Sequence, residues 1–362
     1  MIHDEVPSVA LHDVAETAEP EWTEGGYALY RVPQSVRDEL NVAARDRMGH
    51  PAGCEVRFVP DGTVAVTLSA ADQTTVWPFW GPFQGQDVVE VGPEPRTVEL
   101  SVPERVADLR ADVDAGAFDP RVCRLRFGMG TPVAVHGVSG PCRPPRDDEL
   151  PDRRYLAHGT SITAGAAASG PHLTYVSQVA RAAGVDPINL GASGAAFCEP
   201  AMAEHVADRD DWDVATLSLS VNMANRGFTR EQFGERVERF VATVAGANPG
   251  KPVVCVTLFP YHADAVAGDD AERARAFRRA LREATDGHAN ASVVEGPDLL
   301  DATGLTTDLL HPGATRAWRP SRTASPTNSR RCWRDDRAGA GGLAWYRYVP
   351  GDAELTYRHG SP

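Results

Sequence analysis

The chain has almost no lysine: Lys251 is the only one among 36 basic residues, and the others are arginine. Against 50 acidic residues this leaves a formal net charge of −14. So acidic a surface repels phosphate backbones, which excludes nucleic acid as an expected partner. Cysteine is scarce too. The six (Cys54, Cys123, Cys142, Cys198, Cys255 and Cys332) are scattered, with no Cys-x-x-Cys motif and no paired histidines. That pattern speaks against a metal site and a disulfide framework and leaves buried free thiols; no cofactor is implied. No apolar run is long enough to span a membrane, so no membrane insertion is expected. The acidic start Met1-Ile-His-Asp-Glu lacks the apolar core of a secretory leader, which makes the cytoplasm the expected location. Nor is there a phosphate-cradling Gly-x-Gly-x-x-Gly loop, which disfavours a flavodoxin-like nucleotide binder.

What is present divides into two patterns, and 362 residues exceed one typical domain. Residues 1–50 carry few signals: a strand over 27–32, then a charged surface segment or short helix over 33–48. From Gly53 onward, Val56 and Phe58 alternate with charged neighbours, Pro60-Asp-Gly supplies turn chemistry, and Val64, Val66 and Leu68 alternate again. This predicts a β-hairpin. Strand-like runs follow at 87–91, 97–102, 121–127 and 132–138. Short strands with Gly/Pro turns and no long helix predict a β-sandwich over about residues 21–140, within an N-terminal domain of 1–150 that ends in a Pro-rich linker at 141–151. The motif Trp77-Pro-Phe-Trp-Gly-Pro-Phe reads as an exposed aromatic loop that leans over an active site or stacks on a sugar ring. The plainer alternative is a sandwich edge or a contact between domains.

After Pro151 the pattern becomes strand–helix alternation across 151–314. Strands are expected at 155–157, 187–190, 214–219, 252–259 and 292–294, and helices at 173–183, after Thr229 and at 270–285. Thr229-x-x-Gln232 resembles a capping box, and Phe233, Val237, Phe240, Val241 and Val244 share one face of the helix behind it. The implied fold class is α/β, a three-layer α/β/α domain around a parallel five-stranded sheet. Chemistry in such sheets gathers at the strands' carboxyl ends.

Four segments reach that edge. Gly159-Thr-Ser161 ends the first strand, and Asn189-Leu-Gly-Ala-Ser-Gly194 follows the second. Val221-Asn222-Met223 follows the third, and Asp308-Leu-Leu-His311-Pro312 comes last. A serine on a strand-to-helix turn has a solvent-facing hydroxyl and a backbone N–H among the free donors of a helix start. In a helical turn the spacing from Asp308 to His311 sets both side chains on one face, where the carboxylate fixes the imidazole's tautomer for work on Ser161. Singly, each residue also has a structural role: Asn222 or Asp308 as a helix cap, Gly194 as a positive-φ turn, His311 as an exposed turn residue. Jointly and in this order they favour catalysis.

The four blocks resemble those of the SGNH (GDSL-type) esterase and acylhydrolase superfamily, closest to its branch with Gly-x-Ser-Ile-Thr and Asn-Met blocks and an N-terminal β domain. The resemblance covers residues 153–313 well and the N-terminal part loosely. It implies that Ser161 is the nucleophile, His311 the general base and acid, and Asp308 the orienter. It further implies an oxyanion hole of the Ser161 N–H, the Gly194 N–H and the Asn222 amide. Gly-Thr-Ser stands where the superfamily has Gly-Asp-Ser, and Ser-Val-Asn-Met where it has Gly-x-Asn-Asp; the chemistry-bearing residues survive both changes. His158, Phe197 and His262 are candidates for contacting substrate, and Glu199 for bordering the pocket.

From Thr315 the composition breaks. Residues 315–362 hold 9 arginines and 4 acidic residues, net +5, whereas the remainder holds 27 basic and 46 acidic, net −19. Back-translating residues 314–334 with GC-rich codons admits a shifted frame that encodes an amphipathic helix, so this aberrant tail reads as a frameshift product; the alternative is a genuine basic extension that binds an acidic partner. The functional expectation is a serine hydrolase of carboxylic esters with short acyl groups, acetylated carbohydrate being one candidate substrate. Lysophospholipid or thioester cleavage is the runner-up, and a non-catalytic glycan-binding protein on a damaged hydrolase scaffold is the rival from another class. The expected partner is a small-molecule ester; oligomeric state is not legible.

Overall fold

The structure, a computed structural model, describes residues 6–110, 113 and 116–313; the tail expected to be out of frame lies outside them. Two antiparallel sheets come first. One is seven-stranded and runs Ala10–His12, Glu55–Pro60, Cys123–Phe127, Thr74–Trp80, Phe83–Gln84, with Cys142–Arg143 beside Glu55–Pro60 and Val89–Val91 beside Thr74–Trp80. The other is five-stranded: Glu16–Ala18, Tyr27–Tyr30, Val133–Ser139, Val64–Ala70, Arg96–Leu100. Val56, Phe58, Leu125 and Phe127 of the first meet Val64, Val66, Leu68 and Val135 of the second in one core, which makes the pair a β-sandwich.

The expected hairpin does not form. Glu55–Pro60 and Val64–Ala70 belong to different sheets, and the Pro60-Asp-Gly turn carries the chain from one to the other. Both strands still point alternate residues into one core, so the alternation was satisfied without pairing. Nor is the aromatic motif an exposed loop. It completes the strand Thr74–Trp80, with Phe79 and Trp80 buried, and Phe79 packs against His172 at 5.2 Å between ring centroids.

The parallel sheet is built from β1 (Arg154–Gly159), β2 (Asp186–Gly191), β3 (Val214–Ser218), β4 (Val253–Val256) and β5 (Ala291–Val294). Their order, β2-β1-β3-β4-β5, is that of a doubly wound flavodoxin-like sheet. Helices α1 (Tyr175–Ala183), α2 (Pro200–Asp208), α3 (Arg230–Ala247) and α4 (Ala271–Thr285) cover it. Two separate cores confirm the three layers. Tyr155, Val176, Val185 and Leu300 pack on one face, and Leu156, Val237, Phe240 and Phe277 on the other.

Helix α3 starts where the sequence says it should. Thr229 Oγ1 accepts from the Gln232 N–H at 3.2 Å, and the Thr229 N–H donates to Gln232 Oε1 at 2.9 Å. Its apolar stripe is fully buried, and Phe233 stacks on Phe277 of α4 at 4.5 Å. Truncating one such phenylalanine to alanine costs about 3–5 kcal/mol.

The segment 33–48 folds as two short helices, Gln34–Glu39 and Val42–Arg47. They are not merely surface: Leu40, Ala44 and Met48 are buried in the α2/α3 core of the parallel-sheet layer. Cys54, Cys123, Cys198 and Cys255 are buried free thiols and Cys142 is a partly exposed one. Among the described residues, no helix is long and apolar enough to cross a membrane.

Candidate active site

Strand β1 ends at Gly159, and a single helical turn, Ser161–Ala164, begins two residues later. The turn lies flat on the sheet because Gly191 at the end of β2 has no side chain; a Cβ there would come 2.3 Å from the Ala164 nitrogen. Asn189, on the same strand, ties the turn down, its Nδ2 donating to the Thr163 carbonyl at 2.8 Å. Ser161 Oγ consequently stands at the carboxyl edge, 2.8 Å from His311 Nε2.

His311 arrives on a loop closed by the Leu305–Pro312 bridge and by the Thr306 N–H donating to the His311 carbonyl at 2.8 Å. The expected helical turn is absent here. Leu309 adopts φ 51°, which folds the chain back so that one carboxylate serves the whole loop. Asp308 Oδ1 accepts from Thr306 Oγ1 at 2.6 Å and from the N–H groups of Leu310 and His311 at 2.9 and 3.0 Å. Asp308 Oδ2 lies 2.7 Å from His311 Nδ1. Partial burial alone would raise the Asp308 pKa, but the hydrogen bonds from His311, Thr306 and the backbone outweigh it and hold the carboxyl well below the usual carboxylate range. A charged Asp308 assigns the proton to Nδ1 and leaves Nε2 as acceptor for the Ser161 hydroxyl.

Three donors expected at the oxyanion position have no hydrogen-bond acceptor among the described residues: the Ser161 N–H, the Gly194 N–H and Asn222 Nδ2. The Ser161 N–H is a free donor because it opens a helix. Gly194 has φ 70°, a left-handed conformation that glycine adopts without strain. Asn222 is not a cap; it sits inside the helix Val221–Asn225, and its Oδ1 accepts from the Ala196 N–H at 3.1 Å. With the oxygen engaged, the NH2 end of the amide is the one left available. Together these groups can activate a hydroxyl, receive its proton and supply donors to a developing oxyanion.

The other four sequence candidates fare differently. His158 is only 1% exposed, stacks on Phe240 and bonds the Leu190 carbonyl through Nδ1 at 2.8 Å. Burial lowers its pKa to about 4, so it is a neutral core residue and not a substrate contact. It faces the helix layer that holds Phe240. Phe197 is half-buried beside Phe228, at 5.4 Å, and its carbonyl takes a bond from Arg236 Nη1. His262 opens the short helix His262–Ala265 and pairs with Asp269, Nδ1 to Oδ2 at 2.8 Å. Glu199 accepts from the Phe197 N–H and from Asn41.

Sequence reasoning passed over several supporting residues. Thr306 is one; a hydroxyl two positions ahead of the aspartate was the available signal. Arg31 is another, fully buried, its Nη1 donating to the carbonyls of Asn189 and Gly191 at 2.8 and 2.9 Å. Nothing in its local pattern marks it. Beside the Ser161 turn lies a cavity of about 310 Å3 lined by Trp77, Phe127, Met129, Ala164, Thr174 and Val176 among others; none of Ser161, Asp308 and His311 lines it.

Comparison with known proteins bears on this arrangement. Residues 157–315 match the model of the GDSL-like Lipase/Acylhydrolase family. No curated protein sequence matches the chain. Among solved structures, the salicylyl-acyltransferase SsfX3 from a tetracycline biosynthetic pathway superposes with a TM-score of 0.65 at 14% identity, over 85% of this chain and 91% of that one. A GDSL-like lipase from Bacteroides ovatus ATCC 8483 gives 0.63 at 18% identity, over 84% and 90%. A family two carbohydrate esterase from Cellvibrio japonicus gives 0.55 at 13% identity, over 85% and 90%. At such identities the likeness is one of fold.

Proposed function

We propose that this chain, whose α/β domain belongs to the GDSL-like lipase/acylhydrolase family, cleaves its carboxylic esters through an acyl-enzyme on Ser161. As Ser161 Oγ attacks the ester carbonyl, its proton passes to His311 Nε2, and the imidazolium is stabilised by Asp308 at Nδ1. The oxyanion is received by the Ser161 N–H, the Gly194 N–H and Asn222 Nδ2. His311 then gives the proton to the departing alcohol, the C–O bond breaks, and the acyl group rests on Ser161. Water, deprotonated by His311, attacks the acyl carbon and releases the acid. The observation that carries this reading is the unbroken relay from Ser161 Oγ to His311 at 2.8 Å and from His311 to Asp308 at 2.7 Å.

The division of labour we assign is a β module over 1–150 and a hydrolase module over 151–314, with Phe197 and His262 at the substrate cleft. Short acyl groups, acetyl on carbohydrate first among them, are the substrates we place in that cleft, because the sequence has no long apolar lid to shelter a fatty chain. An intact relay favours an active enzyme over a glycan-binding scaffold. Ser161→Ala tests the assignment. Turnover of p-nitrophenyl acetate should fall at least about 10⁴-fold, and labelling by a fluorophosphonate probe should vanish, with the melting temperature unchanged. A Ser161→Ala protein as active as its parent removes the assignment.

A further inference from the structure

The loop that carries Gly194 is held from outside its own domain. Upstream, Arg31 grips the carbonyls of Asn189 and Gly191. Downstream, a single peptide unit, Ala195–Ala196, is held at both of its polar ends. Its carbonyl accepts from Asn41 Nδ2 at 3.0 Å, and its N–H donates to Asn222 Oδ1 at 3.1 Å. Asn41 is itself fully engaged. Its Oδ1 caps the helix Val42–Arg47 by accepting from the Ala44 N–H at 3.0 Å, and its Nδ2 also donates to Glu199 Oε1. With the oxygen committed to the cap, the NH2 group is the end that must face Ala195 and Glu199. The Ala195–Ala196 peptide is thereby a rigid spacer between two asparagine amides, one on each side.

We infer that Asn41 is a positioning residue of the oxyanion hole: it fixes the Ala195–Ala196 peptide, and through it the Asn222 amide that faces the substrate carbonyl. This inference rests on the proposed role of Asn222 and Gly194. The physical argument is orientational. An amide can present either its oxygen or its NH2 group to the oxyanion, and only the NH2 group stabilises it. The Ala196 N–H selects the productive orientation by occupying the oxygen, and it does so only while the peptide is kept from rotating. A segment encoded 181 positions before Asn222 thus completes the site.

Asn41→Ser separates this role from folding, since serine is as good a helix cap as asparagine but its single hydroxyl, once it accepts from the Ala44 N–H, does not reach Ala195. The expected result with p-nitrophenyl acetate is a kcat lowered about tenfold with KM within twofold of the parent, because the lost interaction acts on the transition state alone. In an Asn222→Ala background the same substitution should have no further effect on kcat, since both residues act through one amide. Full kcat in Asn41→Ser, a change confined to KM, or losses that simply multiply in the double variant would each overturn the inference. Should Asn41→Ser fail to fold, Asn41→Thr, which also keeps the cap and lacks the amide donor, carries the same measurement. A parent protein with no ester turnover and no fluorophosphonate labelling would instead bring down the esterase assignment, so the two failures are distinguishable.

Discussion

Two of the molecule's carboxylate-centred networks are opposites. One lies where the first sheet of the sandwich meets the parallel-sheet domain. Glu55, 1% exposed, receives Arg124 Nη2 at 2.6 Å and Arg57 Nε at 2.7 Å. Arg126 Nε lies 3.0 Å from it without the alignment of a hydrogen bond, an ionic contact only. Arg57 spans the interface in a bidentate pair with Asp186 on β2, at 2.6 and 2.7 Å. The other network is the Ser161–His311–Asp308 relay, whose Asp308 side chain is 49% exposed.

Both carboxylates are held as anions by different means. Burial pushes the Glu55 pKa up, and the guanidiniums of Arg124, Arg57 and Arg126 overturn that and take it well below the usual range. Burial pushes the Asp308 pKa up as well, and hydrogen bonds from its own loop overturn that without any cation. The lesson is that a buried carboxylate needs full counter-charges and so becomes architecture, whereas an exposed one needs only directed donors and stays free to serve chemistry.

The largest expected effect breaks the exposed network. Asp308→Asn leaves the loop's shape but removes the anion that selects the His311 tautomer, so kcat should fall about 10⁴-fold while urea unfolding changes by less than about 1 kcal/mol. An unaltered kcat would refute the contrast. Next comes Glu55→Gln, which strands buried guanidiniums and should cost about 3–5 kcal/mol in the same unfolding measurement, with kcat of the folded protein kept. A loss below about 1 kcal/mol would show that the interface tolerates unpaired charge.

The smallest effect sharpens the comparison at Asp13, a buried carboxylate that lacks a close cation. Its Oδ2 accepts from the Asn189 N–H at 2.7 Å, and its Oδ1 has no partner among the described residues. Burial, only partly offset by Arg31, raises its pKa to about 7. The folded chain therefore holds this proton up to about pH 7, where an unfolded chain releases it near the ordinary carboxylate value. The folded state binds more protons in that window, so the Asp13 contribution is present in acid and is lost as pH rises through 7. Asp13→Asn should remove this slope, and its stability relative to the parent should grow between pH 4 and pH 7 by up to about 1.4 kcal/mol for each pH unit. A pH-independent difference would mean that Asp13 is solvated.

The two networks were not equally legible. The blocks that carry Ser161 and Gly194 stand on glycine turns after apolar strands, Asn222 lies on the helix that follows the next strand, and the Asp308–His311 loop comes last; that order survives translation into three dimensions. The parallel sheet was legible because strands covered on both faces are nearly continuous apolar runs, as Val253–Val256 is. The buried charges were not. In sequence, Glu55 and Arg57 alternate with Val56 and Phe58 as a solvated strand face would, and only contact with the distant strand that carries Asp186 turns that face inward. The mistaken hairpin has a related cause: alternation says which residues face a core and not from which sheet. For the Asp308–His311 pair the spacing foretold the contact, but the helical turn invoked for it was the wrong device, since Leu309 makes the fold-back.

The arginine-and-glutamate face also bears on how the chain is made. A polypeptide leaves the ribosome amino end first, and every strand of the sandwich, down to Cys142–Arg143, precedes Arg154, where the parallel sheet begins. During synthesis the sandwich therefore waits for its mate with one side open to water. A side of unsatisfied leucines would invite aggregation in that interval, whereas one of guanidiniums and a carboxylate remains hydrated until Asp186 emerges to lock Arg57 in place.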